Sequence, residues 1–267
     1  MIDNTNAEAI TNYERETWTR CAEGYSGTFA GITNEAVPEL VKLGSIGPHS
    51  HVLEIGSGPG NVSKILSDIG ADVKGIDFSR TMVTVANHLY PDITFEVANA
   101  EEIPFEDNSF DCVVANFVVH HLARPEVVFN EINRVLKPGG KFVFAVWGPP
   151  EEQSSIGAFF GAVVAHFELG ELPHGPLFGI TEHSVFDKLL TEANLTNCTL
   201  SIKELQWNMN NLEPLIEGFW DWGNMNALPT ETQQRIKNTT AENSDPFKQV
   251  EGYAFPHAIL FGSAIAN

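Results

Sequence analysis

A short apolar segment that ends in a run of glycines constrains this chain more than any other feature. His51–Ile55 fits a buried strand, and Gly56-Ser57-Gly58-Pro59-Gly60 follows it directly, before a helical pattern at 61–69. Glycines let the backbone turn sharply and let a ligand approach it, and a helix N-terminus offers free N–H groups. The segment therefore predicts a ligand-binding strand–turn–helix unit, with a tight connection that binds nothing as the alternative.

The spacing of the glycines narrows the choice of ligand. The dinucleotide fingerprint has its third glycine at the sixth position, where this chain has Asn61, and the Gly-Lys-Ser/Thr of a P-loop is absent. Glu54, just before the turn, would repel a phosphate and would suit a cationic or amine-bearing ligand. Asp77 ends the next predicted strand, where a carboxylate can accept both hydroxyls of an unphosphorylated ribose. Helix capping is the alternative role of Asp77.

Predicted strands and helices alternate as far as Trp147, which favours an α/β fold with a parallel sheet and helices on both faces. The further strands in this part are predicted at 72–76, 93–97, 110–115 and 141–147, and the helices at 8–24, 34–43, 79–89 and 125–136. Later helices are predicted at 153–168, 182–193, 213–222 and 231–238, and strands at 195–205 and 253–264. The aromatic residues after Trp147 either line an apolar pocket or form the core of a cap.

The charge balance limits the partners of the protein. Its 15 Lys and Arg residues against 35 Asp and Glu residues give a formal net charge of -20, which argues against nucleic acid and against an anionic membrane surface. Cys21, Cys112 and Cys198 lack the paired spacing of zinc or disulfide frameworks. The sequence has no signal-peptide pattern and no apolar run that could span a bilayer. We therefore expect a cytoplasmic protein with a small-molecule partner, as a monomer or homodimer.

Four segments occur in order within about residues 45–148: LEIGSGPGN, GIDFSRTM, NAEEIPFEDNSFD and RVLKPGGKFVFAVW. Together they resemble the class I S-adenosylmethionine-dependent methyltransferases, and most closely the small-molecule branch that includes the ubiquinone- and menaquinone-biosynthesis type. The resemblance implies a doubly wound, mostly parallel, seven-stranded Rossmann-like sheet whose last strand is antiparallel, with a helical cap inserted in the C-terminal part. The implied domains are an N-terminal helical lid (1–45), a cofactor-binding core (46–148), and cap helices with the last strands (149–267).

The resemblance also implies S-adenosylmethionine as the cofactor and a set of residues that bind it. The implied set is Tyr25, Glu54, Gly56, Gly58, Gly60, Asp77, Phe78, Met82, Asn99, Ala100, Glu101 and Asn116. The glycine turn and Glu54 would hold the methionine part, Asp77 the ribose, and Phe78 and Met82 would flank the adenine or ribose. Residues 99–101 would meet the adenine edge, with Asn99 where many relatives carry Asp. The carbonyl of Asn116 would lie near the cofactor's amino group, and Tyr25, with Trp18, would belong to the lid.

His120 and His121 are the candidate catalytic bases, because they follow the fourth strand and an ordinary histidine pKa of about 6.5 suits proton transfer. Neighbouring residues on a helix diverge by about 100°, so we expect at most one of the two to face the site. A buried histidine satisfied by backbone, or an exposed one, is the alternative. His49 and His51 share a strand face, but no third ligand is visible at a useful spacing, so we expect no metal site.

The leading function is methyl transfer to an apolar or aromatic small molecule by in-line displacement. Because the cofactor carries the driving force, the protein has to align the reacting atoms and exclude water. A second hypothesis is a protein that binds S-adenosylmethionine without transferring its methyl group, such as a cyclase or isomerase. A third is an NAD-dependent oxidoreductase, against which Asn61 argues.

Overall fold

Seven strands form one sheet in the computed structural model, which describes residues 4–168, 170 and 173–267. The strands are β1 (His51–Ile55), β2 (Asp72–Asp77), β3 (Thr94–Val97), β4 (Phe110–Asn116), β5 (Leu136–Trp147), β6 (Leu195–Met209) and β7 (Tyr253–Ala266). Their order is β3-β2-β1-β4-β5-β7-β6. β1 to β5 pair in parallel, and β7 is antiparallel to both β5 and β6. The predicted α/β fold, with seven strands and an antiparallel last strand, is confirmed.

Helices cover the sheet and one of its ends. They are α1 (Asn4–Cys21), α2 (Ala30–Thr33), α3 (Val37–Gly44), α4 (Asn61–Asp68), α5 (Arg80–Leu89), α6 (Pro125–Val135), α7 (Ser154–His166), α8 (His183–Glu192), α9 (Glu213–Trp222) and α10 (Thr230–Ser244). In the part of the chain that the structure describes, no helix is long and apolar enough to cross a membrane.

The two faces of the sheet carry separate apolar cores. On the strand β4, Val113 packs with the cluster under α6 and α8, and its neighbour Val114 packs with the cluster under α3 and α4. Successive strand side chains point to opposite faces, so a strand that is covered on both faces reads as a continuous apolar run. This is why 110–116 lacks the alternation of a half-exposed strand.

A third apolar cluster joins α1 to α7, α9 and α10. Trp207 and Phe159 are fully buried within it, and aromatic side chains such as Phe219 and Phe160 reach from it to a cavity. The aromatic residues that follow Trp147 thus serve both as core and as cavity wall. The helices α7, α9 and α10 of this cluster lie between β5 and β7 in the chain, in the part where the resemblance implies an inserted cap, whereas α8 packs on the sheet.

Two local predictions were wrong. The helix predicted at 34–43 is interrupted: residues 34–36 form a 3-10 turn after α2, and α3 begins only at Val37. Pro38 lies in the first turn of α3, where its missing N–H costs no hydrogen bond. The glycines at 139–140 were predicted to separate a helix from a strand, but they lie inside β5, opposite a register irregularity between Phe110 and Cys112.

We predict that Gly262→Ala destabilises the sheet. Gly262 of β7 pairs with Phe144 of β5, and a β-carbon there would overlap the Phe144 ring, which stacks between Phe142 and Phe186. Overpacking of this kind costs about 1–3 kcal/mol of unfolding free energy, which urea unfolding would measure. The control is Gly157→Ala in α7, where a β-carbon meets open space. A Gly262→Ala protein as stable as the parent would contradict the packing described.

Candidate active site

One cavity lies at the carboxyl ends of the central parallel strands, and it has two unlike halves. The polar half contains the glycine turn after β1, Asp77 at the end of β2 and Asn116 at the end of β4. The other half is aromatic. Its wall is formed by Trp18, Phe29, Trp147, Ile156, Phe160, Phe178, Phe219 and Trp222. The carboxyl edge of a parallel sheet, where the strand order reverses, is the usual place for a ligand in open α/β folds.

The glycine turn adopts a backbone that only glycine accepts without strain. Gly56, Gly58 and Gly60 all have positive φ, at 62°, 52° and 87°. A β-carbon on Gly56 would overlap Val118, which precedes the two histidines, so the turn packs directly against the segment after β4. Gly56 and Gly58 line the cavity, whereas Gly60 packs against Phe95 and lies outside the lining.

Asp77 holds the glycine turn in place. Its Oδ2 accepts the backbone N–H of Gly58 at 2.9 Å, and its Oδ1 accepts that of Ser79 at 2.8 Å. Ser79 is itself the N-cap of α5, where its hydroxyl accepts from the Met82 N–H. Burial raises the pKa of Asp77 to about 6, against the lowering by its two backbone hydrogen bonds. The carboxylate thus has a role at the start of the helix, and its remaining lone pairs are open to a ligand.

Glu54 is a buried acid that pairs with no cationic side chain of the described residues. It is almost fully buried and accepts a hydrogen bond from the Ser63 hydroxyl at the start of α4. Burial raises the pKa of Glu54 to about 8, with a smaller upward contribution from the charge of Asp77. Burial thus favours the neutral form of Glu54, and a positively charged ligand would favour its ionised form.

Most of the residues predicted to bind the adenine line the cavity, and one does not. Phe78, Met82, Asn99 and Ala100 line the cavity. Glu101 does not line it: its carboxylate pairs with Arg124, and its backbone N–H donates to the Asn99 side chain at 3.1 Å. Of the twelve predicted cofactor residues, ten therefore line the cavity, and Gly60 and Glu101 do not.

Tyr25 and Asn116 meet at Thr33, a residue that sequence analysis did not single out. The Tyr25 hydroxyl lies 3.4 Å from the Thr33 hydroxyl, and burial raises the pKa of Tyr25 to about 12. The Asn116 side chain donates to the Thr33 carbonyl at 2.9 Å, and its Oδ1 is buried without a partner among the described residues. An unpaired buried oxygen of this kind indicates a missing hydrogen-bond donor.

A left-handed residue turns the chain from β4 into the cavity wall. Phe117 has φ of 57°, which is costly for a bulky side chain, and the 3-10 turn Val119–His121 follows. Both His120 and His121 line the cavity, with ring centroids 4.0 Å apart. The expectation that at most one would face the site was wrong, because this short turn presents both rings to the same wall.

The two histidines have different surroundings. His120 is 3% exposed, and neither of its ring nitrogens has a partner among the described residues. Burial, with a smaller contribution from His121, holds the pKa of His120 well below its usual value, so this ring is neutral at pH 7. His121 instead bonds through Nδ1 to Oε1 of Glu14, at 2.9 Å.

Glu14 was not predicted as a functional residue, although its position on the buried face of α1 gave a signal. Ile10, Glu14, Thr17 and Cys21 follow a four-three-four spacing on α1 and are all buried. An acidic residue on the buried face of an amphipathic helix is exceptional and marks a paired or functional carboxylate. The predicted lid helix thus contributes a charged group as well as aromatic cover.

The cavity lining contains acidic side chains and no strongly basic ones among the described residues. Among its described lining residues, Glu54 and Asp77 are the acids, and there is no lysine or arginine. Nor does any group of three His, Cys, Asp or Glu side chains in the described ranges have an arrangement that could hold a metal ion.

A scan against known families matches residues 53–144 to the methyltransferase domain. This part of the chain is similar to methyltransferase domains. A demethylmenaquinone methyltransferase from Renibacterium salmoninarum is 40% identical to it over 103 residues, which are 39% of this chain and 44% of that protein. The matched stretch thus spans less than half of that curated relative, and the family match leaves out α1 and the cap.

Solved structures share the fold over most of the chain. YcgJ of Bacillus subtilis superposes with a TM-score of 0.57 at 19% identity, covering 88% of this chain and 99% of that one. A phosphoethanolamine N-methyltransferase 2 from Haemonchus contortus, in complex with phosphomonomethylethanolamine and S-adenosylhomocysteine, gives a TM-score of 0.52 at 20% identity, covering 87% and 52%. At these identities the likeness establishes the shared fold.

We predict that Glu54 makes stability depend on pH in one direction. Its pKa is about 8 in the folded protein against 4.5 for the ordinary side chain, so the unfolded chain releases this proton at lower pH than the folded protein does. The contribution of Glu54 to the free energy of unfolding therefore falls as pH rises from about 4.5 to about 8. Glu54→Gln removes this titration, so the variant should gain stability relative to the parent across that window. Urea unfolding at several pH values checks it, and a difference that stays flat would contradict the burial described.

Proposed function

We propose that this protein transfers a methyl group from S-adenosylmethionine to a neutral, apolar or aromatic small molecule by in-line displacement. The observation that supports the proposal is that one cavity contains the glycine turn, Asp77 and the aromatic wall. Its described lining has no lysine or arginine. The methyltransferase domain match and the name of the demethylmenaquinone methyltransferase relative support the reaction class. The S-adenosylhomocysteine in the Haemonchus enzyme supports the cofactor.

The polar half of the cavity fits S-adenosylmethionine. Glu54 offers a buried carboxyl without a cationic partner to an amine-bearing methionine part, and Asp77 keeps lone pairs for the ribose hydroxyls. The unpaired Oδ1 of Asn116 and the buried, unpaired Ser57 hydroxyl leave further hydrogen-bonding capacity in the same half. Phe78 and Met82, with Asn99 and Ala100, would then hold the adenine.

The aromatic half fits an uncharged acceptor. A phosphate or carboxylate placed among Phe160, Phe219 and Trp222 would lose its hydration, and no lysine or arginine of the described lining compensates for that loss. The cavity therefore differs chemically from one that binds a phosphorylated substrate such as phosphomonomethylethanolamine. His120, with two unpaired nitrogens, supplies a hydrogen bond to a polar atom of a mostly apolar molecule.

The chain's own residues align the reaction and exclude water. When bound, the cofactor supplies a methyl group that is already activated by a positively charged sulfur. Trp18 and Tyr25 cover the cavity from the N-terminal side, and Trp147 and Phe160 close it from the cap side. Holding the reacting groups in line can lower the barrier by several kcal/mol, up to about 7–11.

The main test compares acceptors of one shape and different charge. We expect methyl-labelled S-adenosylmethionine to label 2-naphthol and not 2-naphthoic acid, because the carboxylate has no countercharge in the cavity. Calorimetry should detect binding of S-adenosylhomocysteine and none of NAD. Labelling of the acid in preference to the alcohol contradicts the neutral-acceptor part. Binding of S-adenosylhomocysteine with no labelled product from a panel of neutral naphthalenes would favour a non-methylating role, and NAD binding alone would favour an oxidoreductase.

We predict that Asp77→Asn weakens binding of S-adenosylhomocysteine by about 10- to 100-fold, because hydrogen bonds to a charged group contribute about 1.5–3 kcal/mol. The amide oxygen can still accept from one of the backbone N–H groups that the carboxylate now holds. Asp72→Asn is the matched control, because Asp72 lies at the opposite, amino end of β2 and is exposed. Calorimetric titration compares the two variants, and equal affinities would remove Asp77 from the binding site.

A further inference from the structure

A buried carboxylate on α1 joins two residues of the cavity wall. Oε1 of Glu14 lies 2.9 Å from Nδ1 of His121, and Oε2 accepts from the indole N–H of Trp18 at 3.1 Å. Glu14 and His121 keep 4% and 13% of their side-chain surfaces exposed. The contact spans 107 positions of the chain, so it exists only because α1 packs against the turn after β4.

The chemistry of these groups fixes where the protons are. The Trp18 indole can only donate, so Oε2 of Glu14 must accept. A carboxylate accepts at both oxygens, so Nδ1 of His121 donates to Glu14, and in the neutral ring the lone pair is then on Nε2. The structure gives Nε2 no protein partner among the described residues, and the ring lines the cavity. A histidine that lines a cavity and donates through Nδ1 to a buried carboxylate has the arrangement of a general base.

We propose that Glu14 is the positioning residue of a Glu14–His121 pair in which His121 takes a proton from the acceptor; this inference rests on the proposed function. An acceptor hydroxyl passes its proton to Nε2 of His121, and the electron pair of its oxygen forms the bond to the methyl carbon. The carbon–sulfur bond breaks with its electrons on sulfur, so the sulfonium becomes a neutral thioether. The positive charge now lies on the His121 ring beside the Glu14 carboxylate, which stabilises it.

His120 does not share this role. No carboxylate of the described residues bonds to its ring, and both of its nitrogens are buried, so a proton placed there would create a buried charge without a described countercharge. His120 is suited to a neutral hydrogen bond with the acceptor. The geometry thus gives different roles to two adjacent histidines that the sequence alone does not distinguish.

The N-terminal helix that carries Glu14 is fastened to both sides of the cavity. Thr19 bonds to Ser79 at the start of α5, with 2.9 Å between the hydroxyl oxygens, and Arg20 donates to the carbonyls of Asp221 and Trp222 at the end of α9. These contacts hold Glu14 against His121. The base is therefore complete only when α1 is docked over the cavity.

The first measurement needs no acceptor. In protein labelled with nitrogen-15 histidine and saturated with S-adenosylhomocysteine, two-bond proton–nitrogen spectra distinguish a proton on Nδ1 from one on Nε2. We expect the Nδ1–H form of His121 in the parent and in Glu16→Gln, an exposed position of the same helix. Glu14→Ala should lose that preference. The same tautomer in Glu14→Ala would overturn the pairing, whether or not any acceptor is methylated.

The second measurement uses 2-naphthol and labelled S-adenosylmethionine. Glu14→Gln should lower kcat about 100-fold and leave KM within about threefold, because the amide cannot stabilise the protonated ring. In a His121→Ala background the same change should have little further effect, because the partner is gone. Losses that add in the double variant, or Glu14→Gln as active as Glu16→Gln, would overturn the inference. Absence of S-adenosylhomocysteine binding would instead refute the proposed function, and the tautomer of the free protein would then decide the pairing alone.

Discussion

The two hydrogen bonds accepted by Asp77 hold the polar half of the cavity together. One fixes the glycine turn after β1 and the other fixes the start of α5, so a single buried carboxylate sets the distance between two neighbouring strand ends. The same group is then presented to the cavity with lone pairs to spare. The backbone that Asp77 orders is also the backbone that a ligand in the cavity would touch.

The aromatic half is assembled from distant parts of the chain. Trp18 comes from α1, Trp147 from the end of β5, Phe160 from α7 and Phe219 from α9, and all of them pack into one cluster. Because this cluster is also the core of the cap, the shape of the aromatic half depends on the folding of the cap itself. Its apolar character follows from the same burial that stabilises the helices.

Local features could be predicted well from the sequence, whereas contacts between distant segments could not. The bounds of β1 and α9 follow from apolar patterns and from nearby glycine and proline residues, and they agree with the structure. The pairing of Glu14 with His121 depends on how α1 docks onto the sheet, and no local pattern encodes that. The two histidines could be picked out from their position after a strand, whereas their different environments arise from a left-handed Phe117 and a helix more than 100 residues away.

Residues of the cavity wall lie both inside and outside the segment that matches the methyltransferase domain. The shared stretch 53–144 contains the glycine turn, Asp77 and both histidines, whereas Glu14 and most of the aromatic wall lie beyond it. Similarity within that stretch therefore concerns the polar half of the cavity and says very little about what the aromatic half binds. Two proteins that share this central segment can differ in the ligand that they bind, through one helix before the segment and a few helices after it.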